Sequence, residues 1–104
     1  MVCSGGQGKI VFTFAMKTIR IIIKGKVQGV FYRATAKDVA EQLGIKGWTR
    51  NLPDRNVEIT ATATEEVLKK FIEWCKQGPP KAKVDEVIIE ELNDQEFRDF
   101  RIIR

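Results

Sequence analysis

The residues with the clearest chemical potential form a glycine-bounded segment that joins a predicted strand to a predicted helix. The segment reads Gly25-Lys26-Val27-Gln28-Gly29-Val30-Phe31-Tyr32-Arg33. The first backbone N–H groups of a helix have no partner inside it, and the helix dipole favours an anion there. A glycine at each end of the loop allows further N–H groups to converge on the same point. The segment therefore predicts a cradle for a tetrahedral phosphoryl group.

Arg33 comes at the start of the predicted helix, beside that cradle. Its planar guanidinium can bind two phosphate oxygens at once, which a lysine ammonium does poorly. From the spacing alone, the more common interpretation is a glycine-shaped turn followed by a surface arginine. The two interpretations stay open until more of the sequence is considered.

The composition excludes several kinds of catalytic site. The chain has no histidine, which rules out Ser-His and Cys-His nucleophile pairs and zinc sites that need imidazole. Its two cysteines, Cys3 and Cys75, form no disulfide framework and no cysteine-rich metal site. We expect Cys75 to be a buried thiol on a helix stripe and Cys3 to be an exposed thiol in a tail. This usage is typical of a reducing compartment and predicts a cytoplasmic protein.

The charge pattern does not favour nucleic-acid or membrane partners. The net charge of +4 is modest, and acidic residues are interleaved with basic ones, as in Glu65-Glu66 before Lys69-Lys70. Dedicated nucleic-acid binders usually cluster basic residues on one face. No apolar run approaches the roughly 18 residues that a membrane-spanning helix needs. We expect a monomer that binds neither nucleic acid nor membrane.

The chain divides into a short beginning and one longer unit. Residues 1–15 contain the flexible run Ser4-Gly5-Gly6-Gln7-Gly8 and are predicted to be an extension of a domain over 16–104. Gly5 to Lys9 resembles a phosphate loop superficially. It fails the Walker spacing, and Ile10 stands where Ser or Thr is required.

Hydrophobic periodicity predicts a βαββαβ order with one extra strand at the end. The helices carry apolar residues at helical spacing, and Gly44 and Gly78-Pro79-Pro80 are their predicted ends. Either Thr62 with Glu65, or Thr64 alone, begins the second helix. Strands are predicted over 17–24, 45–51, 57–63 with one buried face, 84–91 and 97–103, with a turn over 52–56. This order predicts a ferredoxin-like α+β sandwich, an antiparallel sheet with both helices on one face. The fold alone assigns no function.

The whole segment over 25–33 resembles the acylphosphatase signature Gly-x-Val-Gln-Gly-Val-x-Phe-Arg, with Tyr32 in place of Phe. Gly47-Trp48-Thr49-Arg50-Asn51 resembles a second signature, in which many members carry Val where Thr49 stands. The resemblance continues through 52–54 and 71–80 and covers residues 16–104. One departure lies at Asp54-Arg55-Asn56, where the family commonly has Asp-Gly. Because asparagine tolerates left-handed angles, we expect Asn56 to replace the glycine.

The resemblance implies hydrolysis of acyl phosphates to a carboxylate and inorganic phosphate, with no metal, cofactor or covalent intermediate. Arg33 would bind the phosphoryl group together with loop amides, and Asn51 would orient the attacking water. The implied phosphate-binding loop consists of Lys26, Val27, Gln28, Gly29, Val30, Phe31 and Tyr32. We expect the Gln28 side chain to brace the turn and Lys26 to add positive potential. Tyr32 and Trp48 are expected to pack beside the site.

Two other functions compete with this one. Acylphosphatase-like domains occur inside larger proteins, so the chain is alternatively a phosphate-binding or regulatory module without significant hydrolase activity. RNA-recognition motifs share the ferredoxin-like topology, but they present aromatic residues on the sheet for base stacking. The strand predicted over 57–63 has no aromatic residue, which disfavours this second alternative.

Overall fold

The computed structural model describes residues 15–103, and the predictions made for residues 1–14, including Cys3, lie outside this range. Seven elements follow one another along the described chain. They are β1 (Met16–Lys26), α1 (Tyr32–Leu43), β2 (Lys46–Asn51), β3 (Val57–Thr64), α2 (Glu65–Gln77), β4 (Lys83–Leu92) and β5 (Phe100–Ile103). The predicted βαββαβ order with an extra strand is confirmed.

The five strands form one sheet in the order β4-β1-β3-β2-β5. The first four strands pair in antiparallel fashion, as predicted, whereas β5 pairs with β2 in parallel. The predicted antiparallel sheet is therefore confirmed for the first four strands, and the extra strand, for which no direction was predicted, makes the five-stranded sheet mixed. The chain leaves β4 at one edge, crosses the end of the sheet once, and enters β5 at the other edge. A single crossing of this kind gives β5 the direction of β2.

The crossing also explains why β5 is shorter than predicted. It begins at Phe100 rather than at residue 97, because the preceding residues connect the two edges of the sheet. The Gln95 N–H donates to the Thr18 hydroxyl at 3.0 Å, and the Gly47 N–H donates to the Asp99 carbonyl at 2.9 Å. These backbone groups are therefore satisfied outside a strand ladder.

The core lies between the helices and one face of the sheet. Alternate residues of β1 and β3 point into it, and the helices contribute small and aromatic side chains from the opposite side. The core residues include Ile19, Ile21, Ile23, Val57, Ile59, Ala36, Ala40, Leu68, Phe71 and Cys75. Within residues 15–103, neither helix is long and apolar enough to cross a membrane.

The strand β3 is buried on both faces, which corrects the prediction of one buried face. Glu58, on the face away from the helices, is only 4% exposed. Its carboxylate accepts hydrogen bonds from the Arg20 and Arg50 Nε atoms, each at 2.6 Å. The hydroxyls of Thr18 and Thr62 lie 2.7 Å apart beneath the crossing segment. Polar residues can be buried here because each has a partner.

The end of α1 and the two ends of α2 lie at residues that the sequence predicted as helix ends. The helix α1 ends at Gly44, which takes a left-handed conformation at φ 74°. The helix α2 begins after Thr64, whose hydroxyl accepts from the Val67 N–H at 3.4 Å. Of the two predicted caps, Thr64 alone is therefore the one used. The Gly78 N–H closes α2 on the Trp74 carbonyl at 2.8 Å.

We predict that Gly47→Ala destabilises the protein far more than Gly44→Ala. A Cβ on Gly47 would lie 1.9 Å from the Thr60 carbonyl oxygen of the neighbouring strand, whereas one on Gly44 would meet nothing within 4 Å. Gly44→Ala should lower the free energy of unfolding by about 1 to 2 kcal/mol, the cost of a left-handed alanine. Gly47→Ala should lower it by about 3 kcal/mol or more. Equal losses in urea unfolding would contradict the close approach.

A second prediction concerns Thr49, whose side-chain hydroxyl is fully buried without a hydrogen-bond partner. Removing an unpaired buried hydroxyl without changing the side-chain shape should stabilise the fold. We expect Thr49→Val to raise the free energy of unfolding by about 1 kcal/mol. Thr18→Val is the matched control, because the Thr18 hydroxyl is bonded to Thr62 and Gln95. That control should lose stability, and a loss in both variants would argue against the orphaned hydroxyl.

Candidate functional site

The loop between β1 and α1 contains two residues with left-handed backbone angles. Gly29 has φ 74°, and Phe31, the residue before the helix, has φ 64° and ψ 21°. A left-handed residue followed by right-handed helical residues turns successive N–H groups toward one point. Phe31 holds this conformation although it is a bulky residue, and its side chain is 76% exposed. Packing of the ring therefore does not explain the left-handed conformation of Phe31, which instead sets the direction in which the chain enters the helix.

The N-terminus of α1 differs from that of α2 in a way that favours a bound anion. No side chain caps α1, and its first turn contains no acidic residue. By contrast, Thr64 caps α2, and Glu65 and Glu66 lie in its first turn. The positive end of α1 is thus left without a protein counter-charge from its own first turn.

One pocket brings together the two residues that the sequence singled out. A cavity of about 240 Å³ is lined by Arg33 and Asn51 together with Val27, Gly29, Phe31, Tyr32, Ala34 and Ile102. Arg33 is half-buried and Asn51, the last residue of β2, is exposed. Within residues 15–103, Arg33 forms no ion pair. Its guanidinium is therefore available to a ligand.

The remaining loop residues take other positions. Val30 is buried in the core, so only its backbone can serve a ligand. Lys26 and Gln28 line a second cavity of about 700 Å³, which also has Val27 and Gly29 in its wall. The two cavities therefore share part of this loop as a common wall.

The Gln28 side chain braces the loop, as predicted. Its amide nitrogen donates to the Leu52 carbonyl at 2.9 Å and to the Asn56 carbonyl at 2.8 Å. Both acceptors belong to the connection between β2 and β3. The single amide therefore ties the loop before α1 to the loop that follows Asn51.

The turn between β2 and β3 corrects one prediction. The left-handed angle falls on Arg55, at φ 74°, and Asn56 has no positive φ. Instead, Asn56 donates from its backbone N–H and its side-chain amide to the two carboxylate oxygens of Asp54, each at 3.1 Å. The Arg55 N–H donates to the Leu52 carbonyl at 3.1 Å. These bonds fix a turn whose central residues are Pro53 and Asp54, with Arg55 at its fourth position.

Of the two aromatic residues expected to pack beside the site, only Tyr32 does so. Its hydroxyl donates to the Cys75 carbonyl at 2.7 Å, and its ring centroid lies 5.2 Å from that of Trp74. Trp48 pairs with Thr60 in the sheet, on the face away from the helices, and lies under the Arg50 guanidinium at 5.3 Å. It lines neither cavity at the loop, which corrects the prediction.

Cys75 is a buried thiol, as predicted. Burial raises its pKa to about 12, and burial likewise raises the pKa of Tyr32 far above its usual range. Neither group ionises near neutral pH, so neither is a nucleophile or a base there. Among residues 15–103, no cluster of three or more His, Cys, Asp and Glu side chains is placed to hold a metal ion.

Comparisons with known proteins agree with this geometry. The acylphosphatase family model matches residues 19–102. The chain belongs to the acylphosphatase family. An acylphosphatase of Marinobacter nauticus is 52% identical over 82 residues, which cover 78% of this chain and 89% of that protein.

Solved acylphosphatase structures have the same fold. That from Coxiella burnetii superposes with a TM-score of 0.82 at 36% identity, covering 85% of this chain and 93% of the other. That from Bacillus subtilis gives 0.82 at 34% identity, covering 86% and 100%. The ferredoxin-like fold expected of an acylphosphatase is thereby confirmed.

The acylphosphatase motifs did not identify three residues that line the cavities. Ala34 follows Arg33 in the first turn of α1, and helix geometry was the available signal for it. Ile102 reaches the first cavity because β5 lies beside β2, a pairing that the sequence did not predict. Arg55 stood out in sequence only as a departure from the family turn.

The brace made by Gln28 gives a third prediction. Gln28→Glu replaces the donating amide by a carboxylate that would face two carbonyl oxygens. It should lower the free energy of unfolding by about 2 kcal/mol, and Gln28→Ala by about 1 kcal/mol. The charged form is disfavoured in the fold, so the pKa of the new carboxyl is raised. The excess loss should therefore be absent below about pH 4 and develop as the pH rises. Urea unfolding at pH 3.5 and pH 7 checks this, and a pH-independent difference would contradict it.

Proposed function

We propose that this chain is an enzyme that hydrolyses acyl phosphates, giving a carboxylate and inorganic phosphate. The observation that carries the proposal is the single pocket lined by Gly29, Arg33 and Asn51. It combines an anion nest, a guanidinium and a side-chain amide at the uncapped end of a helix. Membership of the acylphosphatase family supports the same reaction.

The phosphoryl group of the substrate binds to the backbone N–H groups of the loop and to Arg33. Phosphoryl transfer depends mainly on positioning and on stabilising charge on the equatorial oxygens. Loop amides supply fixed partial charges, and the guanidinium supplies a planar pair of donors. The loop residues from Lys26 to Tyr32 act through their backbone.

Asn51 positions the attacking water. Its side-chain amide can accept a hydrogen bond from water or donate one, but it cannot remove a proton. The water oxygen forms a bond to phosphorus while the bond from phosphorus to the acyl oxygen breaks. The acyl group leaves as a carboxylate, and the second water proton moves to a phosphoryl oxygen. The products are then a carboxylate and dihydrogen phosphate, which balances atoms and charge.

The substrate chemistry explains why so few side chains suffice. The leaving group is a stable carboxylate, so the step needs no strong general acid. The enzyme uses no metal, cofactor or covalent intermediate in this proposal. The buried, protonated Cys75 is consistent with a mechanism in which no thiol takes part.

The organisation of the chain is also a proposal. Residues 16–104 constitute the catalytic domain, and residues 1–15 are an extension of it. The family match over 19–102 and the start of β1 at Met16 support this division. We further propose a cytoplasmic monomer that binds neither nucleic acid nor membrane. The free, buried thiol of Cys75 is consistent with a reducing compartment. The absence of aromatic residues from β3 is consistent with a protein that does not bind RNA on its sheet.

A fourth prediction separates the two functional side chains. Arg33→Ala should remove phosphate binding and lower turnover of benzoyl phosphate by about 1000-fold or more, because a transition-state cation is lost. Asn51→Ala should keep phosphate binding and lower turnover by about 100-fold or more. Phosphate release and phosphate titration by calorimetry, both without added metal, measure the two quantities.

Arg101→Ala is the control for these variants, since Arg101 is an exposed arginine on β5 that pairs with Asp99. It should retain both binding and turnover. Near-normal turnover in Asn51→Ala would refute the water-positioning role. Absence of turnover in the wild type, with phosphate still bound, would favour the binding-module alternative.

A further inference from the structure

The second cavity adjoins the proposed phosphate cradle and has no role in the mechanism above. Val27 and Gly29 lie in the walls of both cavities, so the two cavities adjoin at this part of the loop. The second cavity has a volume of about 700 Å³ and is larger than the first, which has a volume of about 240 Å³. It has room for a substituent on the phosphoryl group.

Two cationic side chains line this cavity from different elements. Lys26 is the last residue of β1, Arg55 is the fourth residue of the turn between β2 and β3, and both are exposed. Neither forms an ion pair with residues 15–103. The neighbouring carboxylate of Asp54 is occupied by Asn56, and Lys83 is the strand partner of Lys26. The charged residues that line the cavity are thus both cationic, and no acidic residue is among the described residues that line it.

Arg55 is held beside the loop at a conformational cost. Its φ of 74° is a conformation that glycine adopts freely and that costs other residues about 1 to 2 kcal/mol. Gln28 fixes the turn against the loop through Leu52 and Asn56, so the backbone position of Arg55 relative to Gly29 is set. Strain retained at a residue that lines a cavity is a reason to look for a function of its side chain.

We propose that the second cavity receives the acyl half of the substrate and that Arg55, with Lys26, selects acyl groups bearing a second anion, such as a terminal carboxylate. This inference rests on the proposed hydrolase function and names the substrate class of that site. Arg55 determines specificity and does not take part in the phosphoryl step. A neutral acyl group is hydrolysed without its help.

The test compares two substrates that share the same four-carbon acyl chain and differ in one charge. Succinyl phosphate carries a terminal carboxylate, and its monomethyl ester does not, while benzoyl phosphate reports the basal activity. The wild type should show a higher kcat/KM for succinyl phosphate than for the ester, mainly through a lower KM. Arg55→Asn, which suits the left-handed angle, should reduce that preference about 5-fold and leave benzoyl phosphate turnover unchanged. High salt should reduce the wild-type preference as well.

Controls distinguish this inference from the function on which it rests. Arg55→Lys should keep most of the preference, and Lys70→Asn, which removes a cation from the exposed side of α2, should keep all of it. Equal kcat/KM for succinyl phosphate and its ester in the wild type, or an equal effect of Arg55→Asn on both, would overturn the subsite. Failure of the wild type to hydrolyse any of the three substrates would instead overturn the proposed function.

Discussion

The register of β3 between its two neighbours fixes the site. Val57 pairs with Ile23 of β1 on one side and with Asn51 of β2 on the other. Because both pairs are antiparallel, the end of β1 and the end of β2 meet at the same end of the sheet. A slip of one residue would turn Asn51 to the face away from the helices and away from Arg33. The buried alternation of Val57, Ile59 and Ala61 makes such a slip costly.

The side-chain amide of Gln28 holds together the two loops that the strand register brings to the same end of the sheet. The two loops at this end of the sheet have no ladder between them, and Gln28 supplies hydrogen bonds to both ends of the connection from Leu52 to Asn56. The core on the other side of the loop holds Val27, Val30 and Tyr32 in place. Backbone N–H groups can therefore be fixed toward a ligand while the helix end stays uncapped. Such preorganisation is what electrostatic catalysis requires.

Sequence reasoning predicted the elements and the meeting of Arg33 with Asn51, because both rest on local patterns and a long motif. The helix ends at Gly44 and Gly78 could be predicted because a glycine adopts a positive φ easily, which is a local property of the residue. The parallel β5 could not be predicted in this way, since its direction depends on how residues 93–99 cross the sheet. Burial of Glu58 depends on Arg20 and Arg50, which come from two other strands. The positive φ falls on Arg55 in a turn that is held by the bonds of Asn56 to Asp54 and by the Gln28 side chain from another loop.

The departures from ideal local structure are concentrated around the two cavities. Within residues 15–103, Phe31 and Arg55 are the only non-glycine residues with positive φ, and each lines a cavity. Thr49, with its unpaired hydroxyl, pairs with Ile102, which lines the first cavity, and precedes Asn51 by two positions. Away from the cavities, Thr64 caps α2 and the buried carboxylate of Glu58 is paired with two arginines. Unfavourable backbone angles and an unpaired hydroxyl thus occur near the candidate site. The packed core of β1, β3 and α2 offsets their cost in folding free energy.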